Sequence, residues 1–262
     1  MPMDSRYWLS RIGSICAITG SLGAAVGNIL HPVTPRDDPE GVARVIAESN
    51  AWTLIHVVIA LGVILMFLGL VAVAHTIEGG VGEALARLGV SAATIGTALG
   101  LATVILDGVG AKQLADQWAV APESMKTAAL GLVSMNETLN FALAGLFNLS
   151  FAGVPFILLG LSVAFSDVYP RWLGWLAAFA GLGSFAAGLV QAFTGKPTIA
   201  SLVLTIIGPT IISLWVLVMG ILILRTSRDT TPQTPVASAA DADRDVDGVR
   251  RADERGSRRD GK

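Results

Sequence analysis

Charge is scarce in this chain. Asp, Glu, Lys and Arg make up 15% of 262 residues, where a soluble domain carries about 25%. The shortage is sharper than that figure, because many of the charges crowd into residues 225–262. No soluble domain of any size fits in what remains. The net charge of −2 leaves no basic surface for nucleic acid. A single cysteine, Cys16, rules out an intramolecular disulfide and reads as a small packing residue in an apolar run. The three histidines form no H-x-x-x-H or H-E-x-x-H pattern, and there is no C-x-x-C. No motif by itself marks an enzyme.

What is abundant is apolar sequence, 53% of the chain, arranged in runs of about 20 residues. Six runs qualify: 10–30, 52–74, 87–107, 141–164, 172–193 and 201–224. They are too long and too uniformly apolar for barrel strands, so each must satisfy its own backbone as a helix. The third is expected to begin earlier as a helix, in "VGEALARLG", and the fourth to be the end of a helix starting near Glu123. The first run, preceded by Arg6 and Arg11, has some features of a signal peptide, but its length predicts a retained span. The expected fold is all-α: a polytopic six-helix transmembrane bundle over residues 1–224, followed by a tail at 225–262. That tail has almost no large apolar residue and mixes both charge signs, which predicts disorder.

Lys and Arg near the span ends set the orientation. With the N-terminus inside, the inner side holds Arg6, Arg11, Arg87, Arg171, Arg225 and Arg228, and the outer side holds Arg36, Arg44, Lys112, Lys126 and Lys196. The tail adds seven further basic residues on the N-terminal side. Both termini are therefore expected on the inner, cytoplasmic side of the membrane.

The stretch "NILHPVTPRDDPEG", residues 28–41, punctuates the first two spans. His31 precedes Pro32, which pushes it out of helical geometry. Asp38-Pro39 then reads as an N-cap followed by a proline in the first helical turn. In "PEGVARVIAESN", Val42, Val45, Ile46 and Ser49 share a face while Glu40, Arg44 and Glu48 fall largely elsewhere. This predicts a short amphipathic helix lying lid-like over the outer mouth, with Trp52 marking the membrane boundary.

Small residues at four-residue spacing occur in three spans: Gly23 and Gly27; Ala92, Gly96 and Gly100; and Ala180, Ser184 and Gly188, with Gly174 and Ala178 preceding them. Such ridges let helices approach closely in lipid, either within the chain or in a homo-oligomer or a complex with another membrane protein. Gly153 with Pro155 in span four, and Gly208-Pro209 in span six, predict helix breaks, an architecture that transporters use at substrate sites.

Five polar residues stand at costly positions. His31 follows span one, His56 lies one turn inside span two, and Asp107 closes span three. Glu137 and Asn140 lie on the helix leading into span four. The topology puts all five on the outer side at similar depth. Two imidazoles and two carboxylates, His31, His56, Asp107 and Glu137, are an inventory for a zinc or other transition-metal site, for acid–base chemistry or for a proton relay. The same groups can instead cap helix ends at a wet interface. His75 is 19 residues beyond His56, roughly 28 Å along a helix, and cannot join them. The sequons at Asn136 and Asn148 read as chance.

The early helix ending in "LHP", the opening "WTLIH", the run "LFNLSFAGVPFILLGLSVAF" and the segment "YPRWLGWLAAFAGL" resemble a group of uncharacterised bacterial multi-pass membrane proteins carrying a domain of unknown function. The resemblance spans roughly residues 8–224. It implies six helices in a bacterial inner membrane and no activity.

Three functional readings remain. The first is binding or transport of a small molecule through an outer polar pocket involving His31, His56, Asp107, Glu137 and Asn140. The second is a metal-dependent, membrane-embedded enzyme. The third is a structural or accessory subunit.

Overall fold

The computed structural model describes residues 5–35 and 37–229; the expected disordered tail beyond that point, and Arg36, lie outside the described residues. Among the described residues every regular element is helical: α1 Ser5–Leu30, α2 Pro39–Glu48, α3 Trp52–His75, α4 Gly80–Ile105, α5 Ala111–Val120, α6 Glu123–Phe147, α7 Val154–Ala164, α8 Arg171–Thr194 and α9 Ile199–Asp229. A π-turn, Leu106–Gly110, joins α4 to α5, and a second, Asn148–Gly153, joins α6 to α7. Two continuous rods result, Gly80–Val120 and Glu123–Ala164, and with α1, α3, α8 and α9 they make six helices long and apolar enough to cross a membrane. The protein is an integral membrane helical bundle. The helical part of the chain continues to Asp229, a little past the expected span end at 224.

Glycine and alanine at a seven-residue period bring α1 and α3 together. On α1, Gly13, Gly20 and Gly27 face Ala72, Met66 and Ile59. On α3, Gly62 and Gly69 face Ala24 and Ala17. A Cβ on Gly20 would lie 2.5 Å from the backbone nitrogen of Met66. The spacing Gly13, Ala17, Gly20, Ala24, Gly27 alternates four and three, which keeps one small stripe against an antiparallel partner. Of the expected Gly23–Gly27 pair, Gly27 is buried and Gly23 is half-buried, and both face α3, Gly27 at Ile59 and Gly23 at Gly62.

The second half of the bundle uses the same device. Gly174, Gly181 and Gly188 on α8 press against Ala164, Ile157 and Gly145. The facing stripe, Gly145, Gly153 and Gly160, is spaced by eight and then seven residues. The π-turn Asn148–Gly153 absorbs the extra residue, since its i→i+5 bonding widens one turn. Pro155 then sits in the first turn of α7, where its missing N–H costs little. In α9, Pro209 lies inside an unbroken helix. Trp215 donates its indole N–H to the Leu173 carbonyl at 2.9 Å and ties α9 to α8. On α4 the buried stripe is Gly89, Ala93, Gly96 and Gly100; Ala92 is half-buried, one position off the expected ridge.

Gly220 of α9 lies against Ser14 and Ala17 of α1, so the start of α1 and the last part of α9 share one end of the bundle. The opposite end carries α2. Asp38 caps it, accepting from the Gly41 N–H at 3.0 Å. Its Val42, Ala43 and Ile46 are buried, whereas Glu40, Arg44 and Glu48 are exposed. Val42 and Ile46 cluster with Trp52, Ala111 and Ala115, which seats α2 on α5. Lys112 binds the Ala47 carbonyl at 2.8 Å and Asp116 at 2.7 Å, placing a cation at the C-terminal end of α2 where the helix dipole favours it.

Candidate metal centre

The site grows from the ends of three helices. His31 follows α1, held just outside it by Pro32. His56 lies one turn into α3 and is buried. Asp107 lies in the π-turn between α4 and α5. A π-turn shifts the hydrogen-bond register, and three successive carbonyls there are taken by side chains from neighbouring helices. Asn136 donates to the Leu106 carbonyl at 3.2 Å, Trp52 to Asp107 at 2.7 Å and Thr53 to Gly108 at 3.1 Å. Those bonds fix the backbone that carries the Asp107 carboxylate. Gly108 makes the approach possible, since a Cβ there would lie 2.3 Å from the His56 Cβ.

The donor atoms converge. His31 Nε2 is 3.3 Å from His56 Nε2, and His56 Nε2 is 3.2 Å from Asp107 Oδ2. The third edge, His31 Nε2 to Asp107 Oδ2, is 4.0 Å. Each imidazole has its other nitrogen on a backbone carbonyl: His31 Nδ1 on Pro32 at 2.9 Å and His56 Nδ1 on Trp52 at 2.7 Å. A carbonyl only accepts, so both Nδ1 atoms carry protons. In the neutral rings both Nε2 lone pairs then face the carboxylate. Three lone-pair donors so close together require a cation between them, a proton or a metal ion.

Metal-ligating histidines characteristically donate their second N–H to a carbonyl or carboxylate, as both do here. Donors held 2.0–2.1 Å from a tetrahedral ion lie about 3.3 Å apart. Two of the three edges match that distance, and the third closes with a small movement of His31. Both rings lie tilted against Trp52, whose centroid is 4.8 Å from His31 and 4.9 Å from His56. Burial pushes the His31 imidazole below its ordinary value against the opposing pull of the Asp107 carboxylate, favouring the neutral form that a metal needs.

Glu137 and Asn140 do not join the donor cluster, which among the described residues consists of His31, His56 and Asp107. Both line the adjoining cavity of about 190 Å³ with His31, Asp107 and Asn136, roofed by Val42 and Ile46 of α2. The Asn140 Oδ1 atom is buried there without a hydrogen-bond partner. His31 and Asp107 keep 28% and 30% of their side-chain surface exposed, and His56 only 4%, so the donor set is closed on the α3 side and open elsewhere. His75 lies at the other end of α3, beside Arg6 and Glu78.

Residues 14–224 match the family described as a domain of unknown function, DUF4386. The chain belongs to the DUF4386 family. No curated protein and no solved structure matches it. The matched region of this DUF4386 chain contains all three donors and the helices that carry them. Sequence reasoning passed over Trp52, Thr53 and Asn136 as parts of the site. Trp52 read as a boundary aromatic, and only its spacing of one turn from His56 hinted at more.

Proposed function

We propose that this protein is a membrane-embedded, metal-dependent hydrolase with a mononuclear centre. His31 Nε2, His56 Nε2 and Asp107 Oδ2 are its ligands. The supporting observation is the convergence of these three lone-pair donors, each imidazole locked by an Nδ1–H bond to a carbonyl. Two nitrogens and one carboxylate oxygen suit zinc, and three protein ligands with an open fourth position are the pattern of catalytic rather than structural zinc. A water on that position, made acidic by the ion, would attack a substrate entering from the cavity. The basic-residue bias further supports an inner-membrane chain with cytoplasmic termini and the centre at the outer face.

The cavity also supports the simpler reading of a small-molecule binding or transport site. Its lining comes from the 31–34 segment, α2, α3, Asp107, α5 and α6. The prolines of α7 and α9 take no part in that lining, which favours the metal reading over a transport path between broken helices. Elemental analysis of protein purified in mild detergent, without a histidine tag, tests the proposal. One equivalent of zinc or another divalent transition metal in the wild type, lost in His56→Ala, is the expected result. Metal content unchanged in His56→Ala would sink it.

A further inference from the structure

Among the described residues Glu137 forms no salt bridge, yet it stands in two cavities at once. It lines the space of about 190 Å³ beside His31 and Asp107. It also lines a wider groove of about 420 Å³ that reaches Asp37, Asp38 and Lys196. Val42, Glu137 and Phe141 line both spaces, so Glu137 stands on the wall that the donor-side cavity and the groove share. Its carboxylate shares a cavity wall with Asp107, but it is outside the set of atoms able to share one ion. Asn136 and Asn140 flank it on the same face of α6. Asn136 fixes the π-turn, and Asn140 lines the same cavity with its side-chain oxygen buried and unpaired.

We infer that Glu137 is the general base of the centre, accepting a proton from the water held opposite His31, His56 and Asp107 and returning it to the leaving group. This rests on the metal-centre reading. For an acyl substrate, a carboxylic ester or amide, the water O–H bond breaks and its proton passes to a Glu137 oxygen. The water oxygen bonds to the acyl carbon, the bond from that carbon to the leaving oxygen or nitrogen breaks, and the Glu137 proton moves to the leaving atom. Water and the acyl compound become an acid and an alcohol or amine, with no oxidant or reductant. A base must reach the water directly or through one further water, and Glu137 lines the same cavity as His31 and Asp107. The groups facing Glu137 are His31 and Asp107 on the cavity side and Asp37, Asp38 and Lys196 on the groove side. Lys196 is occupied by Asp37 at 2.9 Å.

The test uses the full chain in detergent, loaded with cobalt(II), whose visible bands report ionisation of the bound water. Wild type, Glu137→Gln and Glu137→Ala are compared. Both variants should bind one equivalent of cobalt. Removing the neighbouring negative charge should lower the midpoint of the spectral pH transition by about one unit. Cleavage of 4-nitrophenyl acetate at neutral pH should nevertheless fall on the order of 100-fold. A residue acting only through its charge would leave that rate unchanged or raise it. An unchanged or raised rate overturns the base role, whatever the midpoint does. So does loss of cobalt from a folded Glu137→Gln protein, which would make Glu137 a ligand. A wild type that takes up no cobalt overturns the metal centre itself, and one that binds cobalt without cleaving the ester overturns the hydrolytic reading together with the base.

Discussion

Replacing His56 with alanine perturbs the centre most directly. The side chain is 4% exposed and supplies one of three donors. A four-ligand structural zinc site in a small peptide is worth roughly 10–16 kcal/mol in apparent binding free energy, or about 3 kcal/mol per donor. At 1.4 kcal/mol per factor of ten, loss of one imidazole should weaken metal binding on the order of 100-fold. No other histidine or cysteine can replace it, because His75 is at the opposite end of α3 and the one cysteine, Cys16, lies in mid-α1. The Trp52 carbonyl loses a side-chain partner but keeps its place in the helix, so α3 should persist. Competition with a chromogenic chelator would give the affinity, and circular dichroism with gel filtration would confirm the fold. A folded His56→Ala protein binding metal within threefold of wild type would refute the assignment of His56 Nε2 as a ligand, and with it the geometric argument.

Other expectations concern pH, the close approach at the site and the helix seams. Metal binding should weaken as pH falls, by about tenfold per pH unit for each proton displaced. His31 is already pushed below its ordinary value by burial, so its competition should begin only in mildly acidic solution; isothermal titration at several pH values checks this. Gly108→Ala should reduce metal affinity about tenfold, a loss of the size that supporting residues produce, without loss of membrane insertion, because the new Cβ would collide with His56. Gly62→Ala would put a Cβ 2.7 Å from the Ala24 nitrogen and should destabilise the bundle by about 1–3 kcal/mol. Gly131→Ala meets nothing within 4 Å and should be neutral or stabilise by about 0.5–1 kcal/mol; a thermal-aggregation series in detergent compares the two.

The elements most legible in the sequence were those whose cause is local. Each span follows from an unbroken apolar run, and the lid helix from Asp38-Pro39 with its spaced Val42 and Ile46. The small-residue face of α8 (Gly174, Ala178, Ala180, Ser184, Gly188) is buried as the spacing predicts, whereas those of α1 and α4 were visible but only partly in register. The α1 stripe alternates four and three, because it must follow an antiparallel partner, whereas the reading at strict fours picked out Gly23 and Ala92. The breaks at Gly153-Pro155 and Gly208-Pro209 were read alike, yet one ends a π-turn and the other lies in a continuous helix. That difference depends on what packs against each: α8 glycines demand the shifted register at Gly153.

Sequence alone determined that the chain is helical, that it has six spans long and apolar enough to cross a membrane, and that His31, His56, Asp107, Glu137 and Asn140 stand near helix ends or on the helix leading into span four. Those properties come from hydropathy, run length and proline stereochemistry, which act within one segment. Tertiary structure decided which of the polar groups meet. It put His31, His56 and Asp107 lone pair to lone pair and left Glu137 across a cavity. The π-turn that aims Asp107 has no local signature, because side chains of Trp52, Thr53 and Asn136 from other helices hold its freed carbonyls. A centre built from three helix ends is therefore written in the packing of α1, α3 and α4, and only indirectly in the order of residues.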